Sequence, residues 1–383
     1  YTLLRKGIRK LLKAAGFHVS GQRRGLSAEA QALVERYVDR DRKADIDWAD
    51  PQQRAAQLKI LVEDAEAALE LVMDQADEFE VQATGWLLTK ILGDDLVSDE
   101  DGHPQIGKGT APDRIISVTE PEMRHGRKSS AHRFDGFKVI VSTEQSSELI
   151  LDVSDMTATG SDGAQLMPTI ERVEAETKVV AERVIGDGAF GSGENRAACA
   201  DYEAHSIDLV SPLRQPRDPA VAKSAFQIDL QARTATCPQG HTVSSRSGAR
   251  KKGEATLGFT FPRATCEACS LFERCVHSQT AGRTVRTHLH EEHLQAARER
   301  QGTEEFKRLY RLRPPVERKI AELVRHGLRN TRYLGQPKRQ LQRLWTAAAV
   351  NLKRLIRIAQ AQGVDLQAVF RRLEPQPGLL ASL

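Results

Sequence analysis

The hydrophobic period of the chain changes near residue 115, and this change restricts the fold more than any other feature. Before it, apolar residues recur at helical spacing in three segments: 1–17, 28–43 and 51–92. After it come short β-branched runs that we predict as strands: 115–119, 136–143, 149–153, 179–185 and 207–210. Helices are predicted between the later runs, at 162–176 and 193–204. Alternating helices and strands predict an α/β fold with a sheet flanked by helices.

The same pattern divides the chain into four parts. Residues 1–110 are predicted as a helical segment that is first basic and then acidic, with a polar loop beginning at residue 93. Residues 111–225 carry the core strands. Residues 226–288 form a β-rich insertion that contains four of the five cysteines. Residues 289–383 are predicted as basic helices that complete the core, and helical spacing continues to about residue 373.

The net charge of +4 conceals large blocks of opposite sign. Residues 1–44 carry a net charge of +7, residues 45–103 carry −13, and residues 283–358 carry +12. Basic blocks of this size favour a polyanionic partner such as nucleic acid. The alternative is that the acidic block neutralises a basic neighbour, or that both blocks are simply solvated.

Nothing in the sequence predicts a membrane or secreted protein. No run approaches the roughly 18 apolar residues that a membrane span needs, and no charged and then apolar leader opens the chain. Five cysteines, four of them between 237 and 275, are not typical of a disulfide framework. We therefore expect a cytoplasmic protein of bacterial type, associated with the nucleoid if it binds DNA.

Asp187 is the first candidate catalytic residue. It follows the apolar run at 179–185, is flanked by glycines, and precedes a predicted helix. Side chains at the carboxyl ends of such strands project into the crevice where α/β proteins bind ligands. Glycines here would allow a phosphate backbone to approach closely. The alternative is that Asp187 is a turn residue that hydrogen-bonds its own loop.

Glu317 is the second candidate. Pro314 and Pro315 can open a helix, which places Glu317 in the first turn of that helix, seven residues after Tyr310 and four after Arg313. The alternative is that Glu317 only compensates the positive end of the helix dipole.

The cysteines of the insertion predict a structural zinc site. Cys266 and Cys269 form a C-x2-C pair, which is a suitable half of a tetrahedral site, and Cys237 and Cys275 complete a set of four thiols. His241 is an alternative ligand. A second alternative leaves these residues as free thiols. Cys199 is predicted as a core residue, and the histidines at 288, 290 and 293 are predicted as surface residues.

The basic C-terminal helices are the predicted DNA-binding element. Their candidate contacts are Lys319, Arg325, Arg329, Arg332, Lys338 and Arg339. An apolar stripe at helical spacing is predicted to face the core: Leu341, Leu344, Trp345, Ala348, Leu352, Leu355 and Ile356. A solvated basic helix without a DNA role is the alternative.

The combination of these features resembles a known family. A strand-end Asp187, an interrupted stretch, and then Tyr310, Arg313 and Glu317 in the pattern Tyr-x2-Arg-x3-Glu resemble the DDE transposases of bacterial insertion sequences. The resemblance is greatest to the branch with a cysteine-bearing insertion before the Glu helix. Residues 114–128, 134–138 and 330–335 share in it, so that it covers nearly the whole chain.

The resemblance implies an RNase H-like core and DNA cleavage followed by strand transfer. Asp187 and Glu317 would then be two ligands of a two-metal Mg²⁺ site, because Mg²⁺ prefers carboxylate oxygens. Tyr310, Arg313 and Arg325 would hold phosphates near the cut, since Arg donates to phosphate in bidentate fashion. Double-stranded DNA, as element ends and target, would be the partner, and a homo-oligomer the assembly.

Two departures from the family pattern are visible. A Lys expected seven residues after the Glu is replaced by Val324, which passes a basic role to Arg325. The first catalytic Asp is expected on a strand ahead of Tyr1, and the chain does not begin with Met. We therefore expect an N-terminally truncated fragment that is inactive alone; the resemblance does not support Asp113 as a substitute.

Two other functions remain open at this point. One is a non-catalytic DNA-binding remnant or regulator of a transposase, and the other is a related metal-dependent nuclease that hydrolyses DNA without transfer.

Overall fold

The computed structural model describes residues 1–75, 78–109, 111, 113–129, 131–251 and 254–365. The chain divides into two compact units. The first unit comprises Tyr1–Val139, Ser154–Gly160 and Asn330–Leu344. The second comprises Ile140–Val153, Ser161–Arg329 and the chain from Trp345 onward. The part of the predicted C-terminal helix beyond 365 lies outside the described residues.

The first unit is built on N-terminal helices: α1 (Thr2–Ala14), α2 (Ala28–Val34, continued by a π-helical turn at Glu35–Arg40), α3 (Pro51–Leu71) and α4 (Phe79–Asp95). The apolar face of α1 is fully buried at Ile8, Leu11 and Leu12. The helix predicted at 51–92 is two helices. A single straight helix of that length would leave part of its apolar residues too far from α1 to pack on it. Because the chain breaks between α3 and α4, both helices pack on α1.

The junction after α4 differs from the sequence prediction in two places. The stretch expected to be a loop contains a short antiparallel hairpin of β1 (Leu96–Ser98) and β2 (Pro104–Ile106). The prediction of a strand at 115–119 is wrong. Ile115 and Val118 are buried in the hydrophobic cluster of the N-terminal helices, and this segment pairs with no strand in the described part of the chain. Burial against helices, and not strand pairing, explains the apolar residues there.

A three-stranded sheet follows, in the order β3 (Arg124–Arg127), β4 (Arg133–Thr143) and β5 (Ile150–Thr157). The strands predicted at 136–143 and 149–153 are confirmed, while β3 was not predicted because its sequence, Arg-His-Gly-Arg, has no apolar alternation. The division between the two units falls within β4 and β5.

The second unit contains the predicted alternation of helix and strand: α5 (Leu166–Thr177), β6 (Arg183–Ile185), α6 (Gly193–Ala200) and β7 (Asp208–Val210). Strands β6 and β7 are parallel, with Val184 opposite Leu209. The organisation is mixed α/β, as predicted. Among the described residues, however, the strands form several small sheets and are not joined in one ladder.

The insertion is β-rich, as predicted. Its first antiparallel sheet contains β8 (Gln227–Asp229), β9 (Thr234–Thr236) and β10 (Thr242–Ser244). Its second contains β11 (Arg246–Lys251), β12 (Glu254–Thr260) and β13 (Thr284–Arg286), with the short helices α7 (Arg263–Glu267) and α8 (Phe272–Cys275) between the last two strands. A small core of Phe226, Ala235, Phe259, Phe261 and Val285 holds these pieces together.

The C-terminal part is helical: α9 (Glu291–Gln301), α10 (Glu304–Tyr310), α11 (Pro314–Arg325) and α12 (Gln336–Ala361). The face of α12 that is buried contradicts the prediction. Trp345 is 69% exposed, and Leu341, Leu344, Leu352 and Leu355 are also exposed. The apolar stripe that was expected to be core therefore lies at the surface, and the buried side of α12 begins with arginines.

Arg339 and Arg343 are buried because carboxylates surround them in the first unit. Arg339 is 2% exposed and bonds Glu120, and its Nη2 lies 3.2 Å from Glu122 Oε2. Both nitrogens of the Arg343 fork lie 2.8 Å from the oxygens of Asp155. The Arg339 guanidinium also sits 3.7 Å from the centre of the Phe137 ring. Arg339, predicted as a DNA contact, is therefore an internal ion-pairing residue.

A turn at 144–150 supports the C-terminal helices of the second unit. Gln145 Nε2 donates to the Leu312 carbonyl over 2.9 Å, and Glu148 pairs with Arg318 of α11. Asn351 of α12 makes two hydrogen bonds of 2.8 Å with the backbone of Ile150. The Glu144 carboxylate organises the turn itself, since it accepts the backbone N–H groups of Ser146 and Ser147.

Replacing Arg339 by Ala should lower the free energy of unfolding by about 3–5 kcal/mol, because Glu120 would be left as an uncompensated buried charge. The exposed neighbour provides the control: Lys338→Ala should change it by no more than about 0.5 kcal/mol. Urea denaturation measures both. Equal losses for the two variants would show that Arg339 is not the buried partner described here.

Glu144 should stabilise the protein only above acidic pH. Its hydrogen bonds with Ser146 and Ser147 lower the pKa of its carboxyl from 4.5 to about 2. A carboxyl whose pKa is lower in the folded than in the unfolded state contributes its full stabilisation at a pH above the unfolded-state pKa. This contribution fades as the pH falls from about 4.5 towards 2.

Glu144→Gln should therefore cost about 1 kcal/mol at pH 7, allowing for solvent screening, and progressively less below pH 4.5. Urea denaturation across this pH range measures the difference. The exposed Glu176→Gln serves as the control for the loss of one surface carboxylate at pH 7. A Glu144→Gln effect that is independent of pH would contradict the assignment.

Candidate functional site

Asp187 lies just beyond the carboxyl end of β6, as predicted. The chain is held there by β7, because Gly186 N–H donates to the Val210 carbonyl over 3.1 Å and Ser211 Oγ donates to the Asp187 carbonyl over 2.6 Å. One carboxylate oxygen, Oδ1, accepts the Ala189 N–H at 2.8 Å. The turn role that was an alternative in the sequence is therefore present, and it leaves Oδ2 without a protein partner in the described part of the chain.

The glycines around Asp187 serve packing. A Cβ on Gly193 would lie 2.6 Å from His288 Nδ1, one on Gly191 would lie 2.8 Å from Ser211 Oγ, and one on Gly186 would lie 2.9 Å from Phe190. These positions are filled by the protein itself, which corrects the expectation that the glycines clear space for a phosphate backbone. Their small size fixes the path of the loop that carries Asp187.

Two residues that sequence reasoning missed position this loop. Asn195, buried in the first turn of α6, donates from Nδ2 to the carbonyls of Gly163 and Phe190, each over 2.9 Å. Arg196 donates to the carbonyls of Ser211 and Gly191, and burial lowers the pKa of its guanidinium. The available signal in the sequence was the polar pair Asn-Arg immediately after a glycine-rich loop.

Helix α10 packs against the β6–β7 pair. Phe306 and Leu309 are buried in one cluster with Val210, and Ile185 and Tyr310 pack on that cluster. The rings of Phe306 and Tyr310 stack with centroids 6.0 Å apart. Tyr310 therefore lies against the cluster that includes Ile185, two residues before Asp187.

Glu317 occupies the first turn of α11, as predicted, and is 56% exposed. Its Oε1 lies 2.9 Å from Nη1 of Arg313. An exposed pair of this kind contributes little to stability, so the carboxylate remains available to a stronger ligand. The predicted partners Arg313 and Glu317 are brought together, and Asp187 lies in the same unit.

The predicted DNA-binding residues separate into two groups. Lys319 is 4% exposed and its Nζ lies 3.1 Å from Glu322, so that it is an internal residue like Arg339. Arg325, Arg329, Arg332 and Lys338 are exposed. Of the six predicted residues, these four remain candidates for contact with DNA.

No ready-made metal site is visible in the described residues. Among them, no three His, Cys, Asp or Glu side chains are grouped as metal ligands. Asp113 forms an ion pair with Arg124 at 2.6 Å, and that hydrogen bond lowers the pKa of its carboxyl. The Asp113 carboxylate is therefore part of a structural ion pair. The resemblance likewise gives no support for Asp113 as a substitute for the first catalytic Asp.

The four cysteines of the insertion line one cavity of about 30 Å³, together with His241. Two tight turns present them: Gly240 N–H donates to the Cys237 carbonyl over 2.9 Å, and Cys269 N–H donates to the Cys266 carbonyl over 3.0 Å. Cys269 Sγ accepts the Leu271 N–H at 3.4 Å. Burial raises the pKa of Cys275, and the three other thiols add to the shift.

Cys199 and the histidines have other surroundings. Cys199 is buried, as predicted, and burial raises its pKa to about 11, which keeps it a neutral thiol. His288, His290 and His293, predicted as surface residues, are half-buried, and among the described residues they form no group of metal ligands. His288 Nε2 lies 3.1 Å from Glu194.

Comparison with known proteins adds one finding. Residues 236–356 match the family model described as transposase DDE domain. The matched part contains Tyr310, Arg313, Glu317 and all four insertion cysteines, but begins after Asp187 and covers less than half of the chain. No curated protein and no solved structure matches the chain.

In the part of the chain that the structure describes, no helix is both long and apolar enough to cross a membrane. The match confirms the resemblance to DDE transposases on the segment that holds Glu317. Residues 236–356 of this chain are therefore similar to the transposase DDE domain family.

Proposed function

We propose that the chain is a DDE-type DNA transposase that binds insertion-sequence ends and catalyses metal-dependent strand cleavage and strand transfer. The family match across Glu317 carries this proposal. It is supported by Asp187 at the carboxyl end of β6 and by α10, which packs on the β6–β7 pair directly before the Glu317 helix. An RNase H-like core is part of the same proposal.

Asp187 and Glu317 are proposed as two Mg²⁺ ligands. The donor set fits, because both are carboxylates and each keeps an oxygen with little competition: Asp187 Oδ2, and Glu317 in an exposed ion pair. When bound, Mg²⁺ would activate the attacking oxygen and stabilise the leaving oxygen. Arg313 would orient Glu317 and, with Tyr310 and Arg325, hold phosphate oxygens.

The four exposed basic residues Arg325, Arg329, Arg332 and Lys338 are proposed to contact phosphates of double-stranded DNA. A homo-oligomer on DNA and a cytoplasmic, nucleoid-associated location follow from the proposed activity.

One observation favours a second function, that of a non-catalytic DNA-binding remnant or regulator. Asp187 and Glu317 are not joined by a third acidic residue in a metal-binding group within the described residues. Two carboxylates alone would bind DNA-associated metal weakly. A nuclease without strand transfer remains the third candidate.

Asp187→Asn and Glu317→Gln should each abolish Mg²⁺-dependent joining of a labelled DNA end to a plasmid, because an amide cannot replace an anionic metal ligand. The chain is tested together with any residues that its gene encodes ahead of Tyr1. Asp201→Asn is the control, since this exposed residue caps the other end of α6.

Retention of joining by Asp187→Asn would refute the proposed role of that residue. Cleavage without joining would favour the nuclease, and DNA binding without cleavage would favour the remnant.

We further propose that Cys237, Cys266, Cys269 and Cys275 bind a structural Zn²⁺. The support is that four thiols line one small cavity, with one sulfur already accepting a backbone N–H. The sulfurs are not yet grouped as ligands, so binding would draw them to about 2.3 Å from the metal. The hydrophobic core of the insertion is small, so a metal that crosslinks the four cysteines would help to stabilise its fold.

Protein purified under reducing conditions should contain one Zn²⁺ per chain by elemental analysis. Cys269→Ser should lose the metal and unfold the insertion, whereas the buried Cys199→Ala should keep it. Wild-type protein without zinc would refute the site.

A further inference from the structure

A basic cleft of about 610 Å³ opens in the second unit, and none of the candidate site residues predicted from the sequence lines it. Its walls are the segment after β7, residues 213–216, the segment 222–224, and the end of α9. The volume falls within the range of about 300–1,000 Å³ that is typical of ligand sites.

The lining of the cleft is suited to an anion. Arg214, Lys223 and Arg298 supply positive charge, Gln215, Ser224 and Gln301 supply neutral donors, and no carboxylate lines it. Nitrogen and hydroxyl donors without a competing carboxylate are what phosphate oxygens require.

The charges of the cleft are only partly neutralised. Lys223 and Arg298 share a single carboxylate, that of Glu291, which is 1% exposed and does not line the cleft. Arg214 is exposed and has no ion-pair or hydrogen-bond partner in the described part of the chain. Two positive charges therefore remain for a ligand, and Glu291 fixes two of the cations in place.

The cleft is connected to the Asp187 loop. Ser211, which donates to the Asp187 carbonyl, is followed by Pro212, whose carbonyl would lie 3.3 Å from a Cβ on Gly188. The next residue, Leu213, begins the wall, and its N–H donates to Gln301 Oε1 over 2.7 Å. Because β6 and β7 are parallel, Asp187 and this wall leave the sheet at the same, carboxyl edge.

We propose that this cleft binds the sugar-phosphate backbone of a DNA strand next to the position at which Asp187 acts. Arg214 makes the principal phosphate contact, and Lys223 and Arg298 supply the field around it. The inference rests on the proposed function, which it extends by assigning a substrate-binding surface outside the basic C-terminal helices.

The test compares Arg214→Ala with Arg217→Ala in the full chain. Both variants remove one positive charge from an exposed arginine on the same segment, but Arg217 does not line the cleft. The probe is a fluorescent DNA duplex of mixed sequence, titrated at several salt concentrations. Each phosphate contact contributes about 0.9 to the slope of log K against log salt.

Arg214→Ala should weaken binding and lower that slope by about 0.9, and Arg214→Lys should restore most of it. Arg217→Ala should leave the slope unchanged. Equal effects of the Arg214 and Arg217 substitutions, or no effect of either, would overturn the cleft proposal.

Two further measurements separate this proposal from the proposed function. Asp201→Asn should bind the duplex as tightly as the wild type, because this exposed residue lies outside both the cleft and the Asp187 loop. If the wild-type chain binds DNA and Arg214→Ala has the same effect as Arg217→Ala, the proposed role of the cleft is wrong and the transposase function stands. If the wild-type chain binds no DNA, both fail.

Discussion

The pairing of Arg339 and Arg343 with Glu120 and Asp155 decides which face of the first turns of α12 is buried in the first unit. A buried guanidinium is tolerated only when carboxylates replace its hydration, and here several carboxylates and the Phe137 ring surround two arginines. Once these arginines are inside, the helix geometry fixes the exposed face of the same part of α12, where Leu341 and Leu344 face solvent.

The loop that carries Asp187 depends on its neighbours in a similar way. Glycine is required in this loop because His288, Ser211 and Phe190 occupy the space that a Cβ would need. Hydrogen bonds from Asn195 and Arg196 hold the loop against α6 and the end of β7. The carboxylate is thus positioned by packing at the edge of a two-stranded parallel pair. The basic cleft begins at the same edge, so that the proposed metal ligand and the proposed phosphate-binding wall share one support.

The sequence predicted much of the secondary structure, and its errors have a common origin. Strands β4 and β5, the alternation around β6 and β7, the β-rich insertion and the helices from α9 onward were all predicted. The strand at 115–119 was wrong because Ile115 and Val118 pack on helices. The single helix at 51–92 was wrong because two shorter helices bury more apolar surface on α1. In each case local pattern shows that residues are buried, but not against what.

By itself the sequence determined the residue types and spacings that relate this chain to the DDE transposases, because Tyr310, Arg313 and Glu317 fall at fixed intervals on local elements. It also placed Asp187 at a strand end, which is a local property. Only the tertiary structure decided which charges lie inside. Lys319 and Arg339 are basic residues of the same segment as exposed Arg325, yet both are buried. Arg339 pairs with carboxylates far away in the sequence, and Lys319 lies beside Glu322 of its own helix. The free-energy cost of burying a charged side chain depends on the partners that the fold brings to it, and the hydrophobic periodicity of the sequence does not reveal those partners.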